Sequence, residues 1–362
     1  MTTIQALRLV YCLVVTVAFL VAWRKNLFSG KRQAVVAWSL IGLLAIFVGA
    51  RPLLPRTDTA MYHYIFSGAC EGGVSWLGVR FARIGYDPLF GVLLYLCSLT
   101  RSFHFAITLV SFLTLAATWF GARLYTSGER VGSALMLFLL TIVNFTFLNQ
   151  QDNVIRCGLA FPLLLIYYYS LFRDDRRRAI LFGVLAVGVH FSMVAGVLAA
   201  LVARFVRCRL RWYYLFFAAV LVASAAGIGI QWIVGHLDFW KAEYYSSLMA
   251  TATYRTGFRP DFAAFNTAFL IFFAWLCHKA PSAFMAFCIR LFVLLSCWFF
   301  MWFAIPYSDR VGAFSWNILP AMAYIGSIRA FPGRRNIIVP ALFAAFLLMT
   351  LVIFVNHTFR PQ

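Results

Sequence analysis

Ten apolar stretches, separated by polar connections, constrain this chain more than any other feature. They cover about residues 6–23, 34–50, 104–122, 131–148, 158–172, 212–234, 263–277, 284–305, 313–328 and 336–355. A helix that crosses a bilayer needs about 20 apolar residues, so each stretch can cross or nearly cross one. With 63% hydrophobic and 12% charged residues, the composition excludes an ordinary cytosolic enzyme, a disordered chain and a secreted disulfide scaffold.

Two further apolar segments do not fit a simple span. Residues 88–100 are too few, and residues 179–203 are interrupted halfway by His190, Phe191 and Ser192. We therefore expect an all-α polytopic membrane protein, with about ten transmembrane helices plus two broken or re-entrant helical hairpins. The alternative keeps 179–203 as a plain span. The simplest division is one integral membrane domain over residues 1–362.

The basic residues predict the orientation of the chain. There are 31 Lys and Arg against 11 Asp and Glu, which gives a formal net charge of +20. Four basic clusters, at residues 24–32, 173–178, 204–211 and 329–335, are expected on the cytoplasmic face. Both termini and two long loops, about 51–87 and 235–262, then lie outside. Because the surplus is split into short runs, we expect no nucleic-acid binding.

Cofactor and metal motifs are missing from the sequence. It contains no Walker A, G-x-G-x-x-G, G-x-S-x-G or H-x-x-x-H pattern, and its eight cysteines form no C-x-x-C pair. We therefore expect no cofactor and no metal. ATP-driven transport and serine-hydrolase chemistry are disfavoured for the same reason.

Asp58 is the first candidate for chemistry. It follows Arg51 and Arg56 at the outer mouth of a span, and Tyr62 comes one helical turn later. A carboxylate in this setting can act as a general base whose pKa its neighbours tune. Capping of the helix that carries Tyr62 is the alternative, and both roles can hold together.

Two further candidates interrupt apolar sequence. The polar run that begins at Asn149 leads to Arg156 near the start of a helix, which is a natural anion site. A polar interfacial corner with a snorkelling arginine is the alternative. His190 is an ionisable residue inside an apolar segment, which indicates a functional site or a hydrogen-bonded structural histidine at a helix break.

Arginines on the expected outer face require an explanation, because topology does not place them there. Arg255 and Arg259 flank Gly257 in the second long loop, and Asp309 with Arg310 caps or anchors a later span. Arginine suits the planar, bidentate recognition of phosphate. These side chains therefore indicate an anionic partner.

The order of these motifs resembles the EpsG family of exopolysaccharide polymerases, which are akin to Wzy-type O-antigen polymerases. The likeness covers about residues 50 to 325. One departure is Thr59, since the family usually has an aromatic residue after this Asp. The motifs are Arg56-x-Asp58-x-x-x-Tyr62, Gly85-Tyr86-Asp87-Pro88-Leu89-Phe90, Asn153-x-x-Arg156-x-Gly158, His190-Phe191-Ser192, Gly257-Phe258-Arg259-x-Asp261 and Asp309-Arg310.

The resemblance implies a membrane glycosyltransferase that joins undecaprenyl-diphosphate-linked oligosaccharide repeat units. It also implies the bacterial inner (cytoplasmic) membrane, an active site facing the periplasm and an arrangement like that of GT-C enzymes. A chain-length regulator and a flippase are the implied protein partners, beside membrane lipids. Asp58 is then the expected base, with His190 as the second choice. The expected diphosphate ligands are Arg156, Arg255 and Arg310, supported by Arg51, Arg56 and Arg259, and the expected orienting residues are Asp152, Asp309, Tyr62, Asn153 and Ser192.

Three alternatives stay open from the sequence. An O-antigen ligase or a single-sugar lipid-linked glycosyltransferase would have similar site chemistry and differ only in its product. A lipid-linked oligosaccharide transporter or flippase would need a site near mid-membrane with access from both sides. A membrane acyltransferase would pair a deep histidine with other polar residues.

Overall fold

The computed structural model describes residues 3–25, 27, 30–52, 58–82, 87–230 and 256–358. Every regular element among these residues is a helix, which confirms the expected all-α class. The first helices are α1 (Thr3–Arg24), α2 (Gly30–Gly49), α3 (Asp58–Ala82), α4 (Pro88–Ser98), α5 (Phe103–Glu129), α6 (Ala134–Val143), α7 (Phe145–Asp152) and α8 (Ile155–Phe172). The later ones are α9 (Arg176–Val189), α10 (Met193–Phe205), α11 (Leu210–Ala225), α12 (Pro260–Lys279), α13 (Ala283–Met301), α14 (Ser308–Trp316), α15 (Leu319–Ala330) and α16 (Arg335–Thr358).

Eight candidate membrane spans lie within the described residues, or nine if a bent helix pair counts as one span. The count is close to the expected ten. They are Gln5–Arg24, Gly30–Gly49, Phe103–Glu129, Ile155–Phe172, Pro260–Lys279, Ala283–Met301, Ser308–Ala330 and Pro332–Ile353. The apolar run at 212–234 accounts for part of the difference, because its helix α11 ends at Ala225 after 16 residues.

The apolar run at 131–148 does not form the straight span that its hydropathy predicts. It divides into α6 and α7, which are bent by 68° at Asn144. The backbone of Asn144 is extended (φ −64°, ψ 136°), and its Nδ2 donates a hydrogen bond to Thr146 Oγ1 at 2.9 Å. A short polar side chain that bonds its own backbone neighbourhood competes with the helix, which explains the break.

The expected interruption at His190–Ser192 is confirmed. Helix α9 ends at Val189, His190 has an extended backbone (φ −152°, ψ 111°), and α10 begins at Met193. The segment at 88–100 likewise forms the short helix α4 of 11 residues. Its first residue is Pro88, whose fixed φ suits a helix start and whose missing N–H costs nothing there.

The chain forms two compact units. Among the described residues, unit 1 lies within 3–197 and 334–358, and unit 2 lies within 198–333. In unit 1, α5 packs against α2 and α8, and α8 packs against α9. The C-terminal helix α16 returns to this unit, where Thr350 Oγ1 donates to the Val143 carbonyl at 2.7 Å, at the end of α6.

Unit 2 has its own core around α13, which packs against α11, α12 and α14. A buried polar network joins three of these helices at Asn266, which is fully inaccessible. Its Nδ2 donates to Ser296 Oγ at 2.9 Å and to Ser315 Oγ at 3.1 Å, and its Oδ1 accepts from Trp316 Nε1 at 2.8 Å. A fully satisfied network of this kind specifies one packing of the helices.

Candidate active site

The carboxylate of Asp87 is the centre of a polar cluster in unit 1. Its Oδ2 accepts from Arg156 Nη1 at 2.8 Å and is 2.9 Å from His190 Nδ1. Its Oδ1 accepts from the Phe191 backbone N–H at 2.7 Å. Each group lies at a helix terminus: Asp87 just before α4, Arg156 in the first turn of α8, and His190 in the break between α9 and α10.

Tyr62 completes the cluster from α3. Its hydroxyl accepts a hydrogen bond from Arg156 Nε at 3.2 Å, and the guanidinium carbon lies 5.5 Å from the ring centroid. Tyr62 itself is 3% exposed. Arg156 is therefore held by Tyr62 and by Asp87, so its position is defined on two sides.

The carboxylate of the cluster is buried, whereas the side chains of Arg156 and His190 are partly exposed. The Asp87 side chain is 5% exposed, whereas those of His190 and Arg156 are 20% and 28% exposed. An approaching solute therefore meets the two nitrogen groups before the carboxylate. Ser192, two residues after His190, is exposed.

The pKa values of Asp87 and His190 follow from these contacts. Burial would raise the pKa of the Asp87 carboxyl, but hydrogen bonds from His190 and Phe191, with the charge of Arg156, hold it below its usual value. Burial would lower the pKa of His190, but Cys157 and Asp87 outweigh it and raise this pKa to about 9. At neutral pH, one carboxylate thus lies between two cations.

Asp58 is the first residue of α3, one turn before Tyr62, as the sequence predicts. It is half-buried, and its backbone N–H donates to Asn153 Oδ1 at 3.0 Å. Asn153 therefore connects the start of α3 to the end of α7. This contact places Asp58 next to the corner that leads to Arg156.

Arg51 lies behind this corner. It is 5% exposed, and it donates to the Gln151 carbonyl at 2.7 Å and to Thr59 Oγ1 at 3.1 Å. Thr59 Oγ1 in turn donates to the Asp152 carbonyl at 2.9 Å. These bonds favour a structural role, in which Arg51 fastens the end of α7 to the start of α3.

Asp152 was expected to orient a site arginine, and it pairs instead with Arg8 of α1. Arg8 Nη2 donates to Asp152 Oδ1 at 3.0 Å and to Asn149 Oδ1 at 3.4 Å, and Arg8 Nε also donates to Asp152. The sequence shows that Arg8 places a charge within the first apolar run. It does not indicate that Asp152 is the partner of Arg8, because the two residues are 144 positions apart.

The remaining described candidates lie in unit 2. Arg259 is 7% exposed, and its guanidinium forms a bidentate pair with Asp261 at 3.0 and 2.7 Å. Its guanidinium carbon also lies 4.0 Å from the Phe262 ring centroid. Arg310 is exposed in the first turn of α14, 5.0 Å from the Tyr307 ring centroid, and Asp309 precedes it. Arg56 and Arg255 lie outside the described residues.

Asp87 and Cys157 are the site residues that sequence reasoning missed. Asp87 belongs to a motif that carries the family resemblance, but the sequence predicts only a position in an outer loop for it and no role. An acidic residue directly before a proline-initiated helix was the available signal. Where the chain is described, His, Cys, Asp and Glu form no group of three that could hold a metal ion.

The fold and this site define a polytopic helical membrane protein with a cationic site built from helix ends. A model of the EpsG family matches residues 35–361 of the chain. The chain therefore belongs to the EpsG family, the family of exopolysaccharide polymerases, which confirms the resemblance seen in its motifs. No curated protein and no solved structure matches the chain.

Proposed function

We propose that this protein polymerises oligosaccharide repeat units linked to undecaprenyl diphosphate, at the periplasmic face of the bacterial inner membrane. A growing glycan would be transferred from its lipid diphosphate to a hydroxyl of the next lipid-linked unit. The observation that carries the proposal is the Arg156–Asp87–His190 cluster, found in a chain of the EpsG family.

Diphosphate is the leaving group of this reaction, so negative charge develops on it as the glycosidic bond breaks. Arg156 is a fixed, always-charged donor at the front of the cluster, already aligned by Tyr62 and Asp87. A donor positioned in advance stabilises developing charge without reorganisation. This chemistry needs no nucleotide, in keeping with the missing Walker A motif.

A base must take the proton from the acceptor hydroxyl, and we assign this role to Asp58. Its half-buried position at the start of α3, one turn before Tyr62, supports the assignment. Arg259 and Arg310 belong to unit 2, and with Arg56 and Arg255 they stay predictions as diphosphate ligands.

The test is product analysis with the purified full-length protein and a fluorescent lipid-diphosphate-linked repeat unit. A polymerase produces a ladder of chain lengths that differ by one repeat. A single capped glycolipid would indicate a ligase, and one added sugar would indicate a single-sugar transferase. Movement of the substrate across vesicles without a new glycosidic bond would indicate a transporter, and each of these three results contradicts the proposal.

Asp58→Asn tests the base within the same assay. We expect a loss of roughly 10²- to 10⁴-fold in rate, the usual contribution of a general base. Asp175→Asn is the matched control, because Asp175 caps α9 by accepting from the Arg178 N–H, at a position expected on the cytoplasmic side. A folded Asp58→Asn protein with the wild-type rate would overturn the assignment of the base.

A further inference from the structure

We propose that Asp87 is a positioning residue, which holds His190 and Arg156 as a pair of cations for the substrate diphosphate. His190 then binds the substrate as an imidazolium and is not the base of the reaction. This inference rests on the proposed function, because it identifies the group that would recognise the diphosphate.

The side chains of Arg156 and His190 share one carboxylate oxygen of Asp87. Arg156 Nη1 and His190 Nδ1 both contact Asp87 Oδ2, at 2.8 and 2.9 Å. The two groups are therefore close enough for one diphosphate to bridge them. The Phe191 N–H occupies Oδ1, so the carboxylate cannot rotate away from either partner.

The protonation state of His190 decides the charge of the cluster. An ionised carboxylate only accepts hydrogen bonds, so the contact with Asp87 requires a proton on Nδ1 of His190. With a neutral imidazole, Arg156 and Asp87 would cancel and the cluster would have no net charge. With an imidazolium, Arg156, His190 and Asp87 together have a net charge of about +1, which attracts an anion.

The exposure of the three side chains indicates the direction from which a ligand reaches them. The side chain of Asp87 is 5% exposed, while those of His190 and Arg156 keep 20% and 28% of their surface. The like-charged carboxylate is therefore shielded from an incoming phosphate, and the cations are presented to it. A carboxylate meant to bind a ligand directly would need the opposite arrangement.

The groups around His190 support its protonated form. Asp87 faces it from the start of α4, and Cys157 hydrogen-bonds it from α8, beside Arg156. Among these three groups, only the positive charge of Arg156 disfavours the imidazolium. The carboxylate of Asp87 contacts both Arg156 and His190. The base is assigned to Asp58 on α3, so the two roles fall on different residues.

The experiment measures binding of farnesyl diphosphate to the purified full-length protein in detergent micelles, from about pH 5 to 10.5, by calorimetry. Farnesol serves as the probe without phosphate. Wild-type affinity for the diphosphate should fall about tenfold with a midpoint near 9, as His190 loses its proton. Farnesol binding should show no such step.

Two variants separate the roles of His190 and Asp87. His190→Gln should bind the diphosphate about tenfold more weakly at pH 7 and should lack the step. His278→Gln is the matched control, since His278 is exposed at the end of α12, and it should bind as wild type does. Asp87→Asn keeps the shape but removes the charge, so the midpoint should move down toward the ordinary histidine value of 6.5.

Three results would overturn the inference. The first is wild-type affinity that stays constant between pH 8 and 10. The second is an Asp87→Asn protein with an unchanged midpoint, which would make Asp87 merely structural. The third is polymerisation that accelerates through pH 9 and depends on His190, the behaviour of a base. If ladders form while binding shows none of the expected steps, the inference fails and the polymerase proposal stands. If the binding steps appear and no ladder forms, the polymerase proposal fails.

Discussion

Removing the charge on either side of the Asp87–Arg156 pair tests whether the cluster is energetically coupled. The perturbation is a double-mutant cycle of Asp87→Asn and Arg156→Met. Asn keeps the shape of the carboxylate, and Met keeps most of the length of the arginine without its charge. The cycle isolates the pair from the separate costs of each substitution.

The expected magnitude follows from the burial and the remaining contacts. Breaking a buried ion pair by removing one partner costs about 3–5 kcal/mol, because an uncompensated charge is left behind. Here Asp87 would keep His190 and the Phe191 N–H, and Arg156 would keep Tyr62. Each charge is thus partly compensated, and we expect a coupling free energy of about 2 kcal/mol.

The assay is reversible unfolding in mixed detergent micelles, followed by circular dichroism. A second cycle of Asp87→Asn with Arg177→Met is the control, because Arg177 is exposed near the start of α9. The control cycle should be additive to within about 0.5 kcal/mol. If the Asp87–Arg156 cycle were additive to the same degree, the pair would not be coupled and the proposed site would lose its basis.

Three further outcomes are expected. Gly158→Ala should cost about 1–3 kcal/mol in unfolding free energy, because a Cβ would lie 2.7 Å from the Gln150 carbonyl oxygen. Gly42→Ala, with open space around it, should be neutral or slightly stabilising, and equal effects at both positions would contradict this packing. Asn266→Ala should cost about 3 kcal/mol in thermal unfolding, because it leaves a buried indole N–H without its acceptor; a cost below about 1 kcal/mol would contradict this. The pKa of His190 is raised from 6.5 to about 9, so its stabilisation is complete below pH 6.5 and is lost as pH rises through about 9. Wild type should therefore lose more stability than His190→Gln between pH 7 and 10, and parallel losses would refute this.

The helices follow from the sequence, because hydrophobic burial in a bilayer requires long apolar runs. The interruption at His190 and the start of a helix at Asp58 could also be predicted, since a polar residue inside an apolar segment competes with regular helix. The same signal is present at Asn144, inside the apolar run at 131–148, although the length of that run predicts one straight span. The 68° bend at Asn144 shows that one asparagine can break a helix even within 18 residues whose hydropathy favours a straight span.

The pairing of helix ends could not be predicted in the same way. Asp87 lies 69 positions from Arg156 and 103 from His190, and their contacts depend on how α4, α8 and α9 pack. Periodicity indicates which residues face the core, but it carries no information on which helix end meets which. The sequence therefore predicts Arg156 and His190 as separate candidates, but it does not predict the Asp87 carboxylate that joins them.

The role of Arg156 in diphosphate binding is tested most directly by the polymerisation assay with Arg156→Ala, compared with Arg177→Ala and wild type. We expect normal ladders from wild type and Arg177→Ala. For Arg156→Ala we expect a loss of roughly 10²-fold or more in rate, the scale on which a lost charge-stabilising donor acts. A normal ladder from folded Arg156→Ala protein would contradict this role.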